Sequence, residues 1–333
     1  MSTPRSIVVA THGHCFDGLC SAALFTRLFR HLHPGEALDF RYLAMGYGPG
    51  QNGVPEELLT GDDNVILDYR FSGSPRLTWY FDHHVSAFPL PTDRGTFETR
   101  THEGQARGQI TFFHDGGYGS CTKLIADVGA ARFDLDPEPL APLIHWADMI
   151  DAARFPSPEM PVLRREPVLQ LMAVVESAGD AAFATRMVPR LLDTPIEDLA
   201  RLPEVQTAYA PLAAGQDAFV ARVKDRAVRV GAGGPVVLVD LTDQLLEVAG
   251  KFVTYALYPE SAYSVLVTRS ASKIKISIGY NPWSKQERKH DIAAICERYG
   301  GGGHPVVGAI SLPADQLARA QEIAATVVEE LSR

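Results

Sequence analysis

The chain has 333 residues, 46% of them apolar and 21% charged, and carries a net charge of −9. The balance is that of an ordinary globular protein, and the length suggests two domains. It argues against tight binding to long duplex DNA, which depends on neutralising many phosphates, and no apolar run reaches the roughly 18 residues of a membrane span.

Met1-Ser2-Thr3-Pro4-Arg5 leads straight into a strand-like run with no signal-peptide pattern, so the expected location is cytoplasmic, without a membrane partner. The four cysteines (Cys15, Cys20, Cys121, Cys296) form no CxxC pair, which speaks against a disulfide framework or a structural zinc site. In chain order, Ser6–Ala10 reads as a buried strand, and a helix is expected from about Gly18 to Leu32, stopped near Pro34-Gly35. Residues 38–44, 64–68 and 77–82 read as three more strands. Residues 88–118, rich in Pro, Gly, Thr and charge, read as a long loop and a candidate lid. Ser120 is a candidate N-cap for the next helix, and residues 139–153 read as another, carrying Asp148 and Asp151. Strands alternating with helices imply a mainly parallel sheet.

Residues 163–228 read as mostly helical, with proline breaks at 167, 189, 195, 203 and 211. A second α/β unit is expected from about Gly234, with strands at 235–241, 263–268 and 274–278 and a last helix over 314–331. The fold class is therefore α/β: a mainly parallel N-terminal domain (1–160), a helical linker (161–230) and a smaller α/β C-terminal domain (231–333).

Three clusters carry chemistry. His12-Gly13-His14-Cys15-Phe16-Asp17-Gly18 follows the first strand and opens a helix, whose N–H groups favour an anion. His12 and Asp17 are the leading ligand candidates there, Gly13 and Gly18 permit a tight turn, and His14 and Cys15 remain open. Asp68 and Asp82-His83-His84 sit at successive strand ends, where open α/β sheets bind ligands. Adjacent residues on extended chain point to opposite sides, so one imidazole can bind metal while the other faces substrate. Asp148 and Asp151 lie three apart on one helix face, and one of them is expected to reach the metal. Carboxylates and imidazoles converging at strand ends suit a divalent metal that works on phosphate.

The third cluster is Gly300-Gly301-Gly302-Gly303-His304, whose glycines let backbone N–H groups approach an anion. It lies in a basic stretch, residues 261–304, with seven Lys/Arg against three acids; Arg269 is a candidate phosphate partner there. Gly48-Pro49-Gly50-Gln51-Asn52-Gly53 matches GxGxxG, but it follows the second strand and carries an internal proline, so a dinucleotide site is not expected.

Taken together these residues resemble the DHH family of phosphoesterases with its DHH-associated C-terminal domain. Asp82-His83-His84 matches the naming motif, His12…Asp17-Gly18…Ser21 the first, Asp68 the second, the Asp148/Asp151 segment the fourth, and Gly300–His304 the GGGH signature. The family includes nanoRNases, phosphoadenosine phosphate phosphatases, cyclic-dinucleotide phosphodiesterases and RecJ-type exonucleases. The resemblance implies one metal on His12 and Asp68 and another on Asp17, Asp68, His83 and one of Asp148 or Asp151. Asp82 would orient a neighbour, and His84 would contact the phosphate. The Gly300–His304 loop would hold the far end of the substrate. Apart from the resemblance, Arg269, Gly301, Gly302, Gly303 and His304 are the candidate substrate-binding residues, and a cleft between the domains is expected because small-molecule sites often form there. The implied cofactor is Mn²⁺, with Mg²⁺ or Co²⁺ as alternatives, as one or two ions. One departure stands out: Cys15 takes the place of the first of two aspartates in the first motif, and the His-to-Asp spacing is one residue shorter. That leaves the first metal open to Cys15 or His14, and a thiolate favours softer ions.

The expected activity is hydrolysis of phosphoester bonds in a small nucleotide or very short oligonucleotide. Alternatives are a RecJ-like single-strand exonuclease, for which Tyr280, Trp283 and Tyr299 in the basic stretch could stack bases, and a non-catalytic nucleotide sensor. A homodimer is left open.

Overall fold

A computed structural model describes residues 3–46, 53–246, 250 and 252–333. Gly48–Asn52 of the GxGxxG match lie outside the described residues. The chain divides into two compact units, residues 1–155 with 166–209 and residues 156–165 with 210–333.

The first unit opens with β1 (Arg5–His12), α1 (Phe16–Leu32), β2 (Leu38–Met45), β3 (Asp63–Leu67) and β4 (Trp79–Asp82). Then come α2 (Asp93–Ala106), β5 (Phe112–His114), α3 (Cys121–Phe133) and α4 (Ala141–Asp151). The five strands are all parallel, in the order β2-β1-β3-β4-β5. Ile7–Ala10 of β1 and all of β3 and β4 are buried, as expected of parallel strands covered on both faces. The strand order reverses beside β1, with β2 on one side and β3 on the other. Ligands of open sheets bind at such a switch point.

The expected loop over 88–118 is instead a helix and an edge strand. α2 has a sparse apolar pattern, and Phe97 is its one large apolar side chain. That ring packs edge-on against Phe71 and Tyr80. Arg100 donates to the Ser74 carbonyl (2.8 Å) and lies over the Phe112 ring. One aromatic anchor fixes this helix, and a repeating apolar pattern is what a sequence reading needs to find one.

After α5 (Glu159–Leu163), which belongs to the second unit, come α6 (Pro167–Ala178), α7 (Ala181–Asp193), α8 (Ile196–Ala200) and α9 (Pro203–Arg226). α6 to α8, read from sequence as part of a linker over 161–230, group with the first unit, where α7 packs against α1 and β2. The division falls within α9. Pro167, Pro195 and Pro203 stand at helix starts, where no intrahelical N–H is lost. Pro189 and Pro211 do not break the chain; they lie inside α7 and α9.

The second unit holds β6 (Ala227–Val230), β7 (Val236–Leu245), α10 (Val253–Leu257), β8 (Tyr263–Arg269) and β9 (Lys273–Tyr280). It ends with α11 (Ile292–Glu297), β10 (Gly302–His304), β11 (Val307–Pro313) and α12 (Leu317–Leu331). Its sheet runs β10-β11-β9-β8-β7-β6, and only β7 and β8 pair in parallel. Ala320, Ile323, Val327 and Leu331 of α12 pack on Val265, Ile276 and Ile310 of the sheet in one buried cluster.

Candidate metal centre

Strand register assembles the site. Thr11 pairs with Leu67, and Leu67 with Phe81, so the next residues, His12, Asp68 and Asp82, form one row at the C-terminal edge of three adjacent strands. The chain turns sharply at this edge. Asp68 has φ +54° and His14 φ +55°, a left-handed conformation costly for non-glycine residues though tolerated by Asp. Gly13 lies in the turn after β1, as expected, while Gly18 falls in the first turn of α1, and both also allow close approach. A Cβ on Gly13 would sit 2.8 Å from Ala44 Cβ, and one on Gly18 would sit 2.4 Å from the His12 carbonyl oxygen.

Asp82 is fully buried and accepts from the Tyr80 hydroxyl (3.0 Å), the His83 N–H (2.9 Å), the His84 N–H (3.2 Å) and His84 Nδ1 (2.8 Å). It orients its neighbours and belongs to none of the close ligand groupings. The His84 charge is opposed by burial, but its hydrogen bond to Asp82 and the nearby Asp68 raise its pKa overall.

His83 Nδ1 faces the Tyr118 carbonyl at 3.1 Å. Donation to that carbonyl turns Nε2 toward Asp151 (3.2 Å), Asp68 (3.4 Å) and Asp17 (3.9 Å). Burial again opposes charge, but the contacts with Asp151 and Asp68 outweigh it and carry the His83 pKa up to about 11. Asp17 is buried, and its oxygens accept from the Cys121 N–H (2.7 Å) and the Thr122 N–H (3.0 Å) at the start of α3. Burial pushes its carboxyl well above the usual range, and Asp68 and Asp151 push further. Burial likewise raises Asp68, against the contact from His83.

Among the described residues, three groupings bring ligand atoms within 4.8 Å of one another: His12 with Cys15 and Asp68, Asp68 with His83 and His84, and Asp17 with His83 and Asp151. Asp68 is common to two of them. Its Oδ1 and the Nε2 of His83 are buried and face each other at 3.4 Å, an ion-pair contact without a hydrogen bond to either atom. Crowded, buried acids around two such atoms fit a divalent cation, which would stabilise the charges they resist carrying alone. Burial lowers the His12 pKa, partly offset by Asp68, which favours the neutral ring a metal requires. Asp148 stands apart, paired with Arg154 (3.1 Å) and 3.5 Å from the Ser120 hydroxyl. His14 is exposed, and its N–H donates to the Gly179 carbonyl.

In the second unit the glycine run is an edge strand, with Gly302, Gly303 and His304 paired to Ala309, Gly308 and Val307. A Cβ on Gly303 would sit 2.2 Å from the Val307 carbonyl oxygen, so the pairing requires glycine. The Gly301 N–H is already taken by the Cys296 carbonyl. Arg269 ends β8 with a buried Nε that has no hydrogen-bond partner.

No protein-family model and no curated protein sequence matches the chain. Its backbone is similar to that of PggH, a pGpG-specific phosphodiesterase from Vibrio cholerae, with a TM-score of 0.68 at 17% identity over 98% of this chain and 99% of that one. It is also similar to RecJ of Thermus thermophilus, solved in complex with Mn²⁺, with a TM-score of 0.51 at 14% identity. That match covers 97% of this chain and 52% of RecJ, so the chain spans about half the RecJ length. The fold expected from the DHH-family resemblance is the fold found.

Several positioning residues escaped the sequence reading. Tyr80 is two residues before Asp82 on the same face of β4, a signal available from strand period. Tyr118 acts through its backbone carbonyl, and α3 through its first N–H groups, neither of which leaves a side-chain signature. His114 pairs with Asp82 across β4 and β5, and its Nε2 meets the His84 carbonyl at 2.8 Å.

Proposed function

We propose that the chain is a DHH-family, metal-dependent phosphoesterase acting on small nucleotides or very short oligonucleotides. A linear dinucleotide such as pGpG, the substrate in the name of the similar phosphodiesterase, is the leading candidate. The observation that carries this reading is the convergence of buried acids and imidazoles, with Asp68 Oδ1 and His83 Nε2 held only by longer ion-pair contacts and by no hydrogen bond, at a topological switch point. Asp17, Asp68, His83 and Asp151 would hold one cation, and His12 and Asp68 would contribute to a second. Mn²⁺ suits the oxygen-rich set, with Mg²⁺ and Co²⁺ as alternatives. Bound there, divalent cations supply the Lewis acidity that activates water and neutralises charge on the phosphoryl group.

The remaining work falls to the chain itself. The hydrogen bond to Asp82 fixes His84 through Nδ1, which leaves Nε2, across the ring, to donate to a phosphate oxygen. The first turn of α1 begins beside the same strand end and favours an anion. In the second unit, taken by itself, Arg269 and Gly301–His304 are proposed as anion-contacting residues, and an anion would satisfy the Nε of Arg269, which has no hydrogen-bond partner.

The test is turnover of a linear dinucleotide, phosphoadenosine phosphate, a cyclic dinucleotide and a long single strand, each with Mn²⁺, Mg²⁺ and Co²⁺. Cleavage of a small substrate that disappears in Asp68→Ala is the expected result. Nucleotide binding without turnover under every cation would replace this reading with a sensor, and a preference for the long strand would replace it with an exonuclease.

A further inference from the structure

α1 begins on a residue that makes a poor cap. N-caps favour Ser, Thr, Asp or Asn, whose oxygen accepts from first-turn N–H groups. The N-cap of α1 is Cys15, in extended conformation, and its side chain makes no capping hydrogen bond. The thiol turns instead toward the sheet edge, where Sγ lies 3.5 Å from Asp68 Oδ2. Sγ, a ring nitrogen of His12 and a carboxylate oxygen of Asp68 lie within 4.8 Å of one another. Independently of the cysteine, Asp68 is 1% exposed and its Oδ1 lacks a hydrogen-bond partner. Oδ1 has the imidazoles of His83 (3.4 Å) and His84 (3.7 Å) facing it as longer ion-pair contacts, while among the described residues Oδ2 has only the weak thiol donor, so a cation shared by the three side chains would satisfy the carboxylate on the Cys15 side.

We propose that Cys15 is a thiolate ligand of the first cation site, together with His12 and Asp68, and that this site selects borderline ions. The proposal rests on the metal-centre reading above. On binding, the thiol proton leaves to solvent and a sulfur–metal bond replaces the Sγ–H contact with Asp68. A nitrogen, sulfur and oxygen donor set suits Co²⁺, Zn²⁺ or Fe²⁺ and suits Mg²⁺ poorly. The grouping of Asp17, His83 and Asp151, with two carboxylates and one imidazole, is harder. The two sites would therefore differ in preference, with Cys15 as the residue that sets them apart.

The experiment uses the full chain, stripped by chelator and titrated with Co²⁺, and reads near-ultraviolet absorption for sulfur-to-cobalt charge transfer. Cys15 is half-buried while Cys20, Cys121 and Cys296 are buried, so labelling of the native protein by a thiol reagent reports Cys15 first. A charge-transfer band should appear with cobalt, and labelling should slow by about tenfold or more. Cys15→Ser should lose the band. Cys15→Asp should lose it too, while still binding two ions per chain, with its Mn²⁺-over-Co²⁺ preference raised by about tenfold. Circular dichroism confirms that each variant is folded. Two bound cobalt ions without a band, or a band that survives in Cys15→Ser, would overturn the assignment. Absence of cobalt binding would overturn it along with the metal-centre reading. A Cys15-dependent band without turnover of any nucleotide would sustain the ligand and sink the hydrolase.

Discussion

Asp82 offers the most direct test of how the site is held, because four donors converge on it. Asp82→Ala removes every acceptor, but not every donor is stranded. The Tyr80 hydroxyl also reaches the Tyr69 carbonyl at 3.2 Å, and the His84 side chain is 35% exposed, so water can serve its Nδ1. The His83 and His84 N–H groups are left. Hydrogen bonds to a charged acceptor contribute about 1.5–3 kcal/mol each, so the alanine variant should lose about 3–6 kcal/mol. Asp82→Asn keeps Oδ1 for both N–H groups and for His84, and its amide can donate to Tyr80. It should cost about 1 kcal/mol. Turnover should still fall about 10–100-fold in the asparagine variant, as expected when a residue that orients a catalytic group loses its charge. Asp82 helps to raise the His84 pKa, so its neutralisation should move the alkaline limb of the pH–rate profile to lower pH. Urea unfolding in chelator measures the stabilities, and dinucleotide turnover across pH measures the rest. Equal losses of stability in the two variants, or wild-type turnover with an unmoved limb in Asp82→Asn, would refute this account of Asp82.

Asp151→Asn should weaken Mn²⁺ binding about 10–100-fold by calorimetry, because Asp151 meets His83 Nε2 at 3.2 Å. Asp148→Asn should leave binding near wild type and cost less than about 1 kcal/mol, since it breaks only a pair with an exposed Arg154; the reverse order would show that the wrong aspartate has been chosen. Gly18→Ala should destabilise the fold by about 1–3 kcal/mol, because its Cβ would meet the His12 carbonyl oxygen, and an unchanged melting curve would contradict the close packing of α1 on β1. In cation-free protein the folded-state pKa of His83 is raised from 6.5 to about 11, and that of Asp17 is raised well above 3.8. Groups raised on folding stabilise below their unfolded pKa and lose that stability as pH rises through the folded pKa. The Tm of chelated protein should therefore decline from about pH 6 to pH 9, and added Mn²⁺ should raise Tm more at the higher pH because each ion displaces protons. A flat Tm with a pH-independent Mn²⁺ gain would refute that linkage.

Much of the architecture was legible from the chain because parallel strands are covered on both faces and read as apolar runs. Ile7–Ala10 and Val65–Leu67 are such runs, and the acids and imidazoles that end them stand out against them. α2 was not legible, since a single phenylalanine anchors it. Nor could spacing choose between Asp148 and Asp151, which lie on one face of α4. What separates them is Arg154, whose guanidinium meets Asp148, and Tyr118, whose carbonyl turns His83 toward Asp151. Both are tertiary facts without a local pattern. The glycine run was read as backbone N–H groups free to approach an anion, whereas Gly302 and Gly303 pair with β11 so closely that a Cβ on Gly303 would not fit.

The site illustrates why strand register does more than any single motif. His12, Asp68 and Asp82 are separated in sequence and each stands at the end of an ordinary strand, yet pairing at Thr11, Leu67 and Phe81 puts them in one row. The row alone would be three residues on adjacent strands. Two departures from regular structure make it a site: the left-handed turn at Asp68, and the close approach of α1 that Gly18 permits. Asp17 then ties α3 to the same edge through two N–H groups, so the start of a third element is locked to the row. A cation bound as proposed would meet side chains already held by the backbone, with little ordering left to be done, whereas a register slip of one residue would turn all the side chains of a strand to the opposite face.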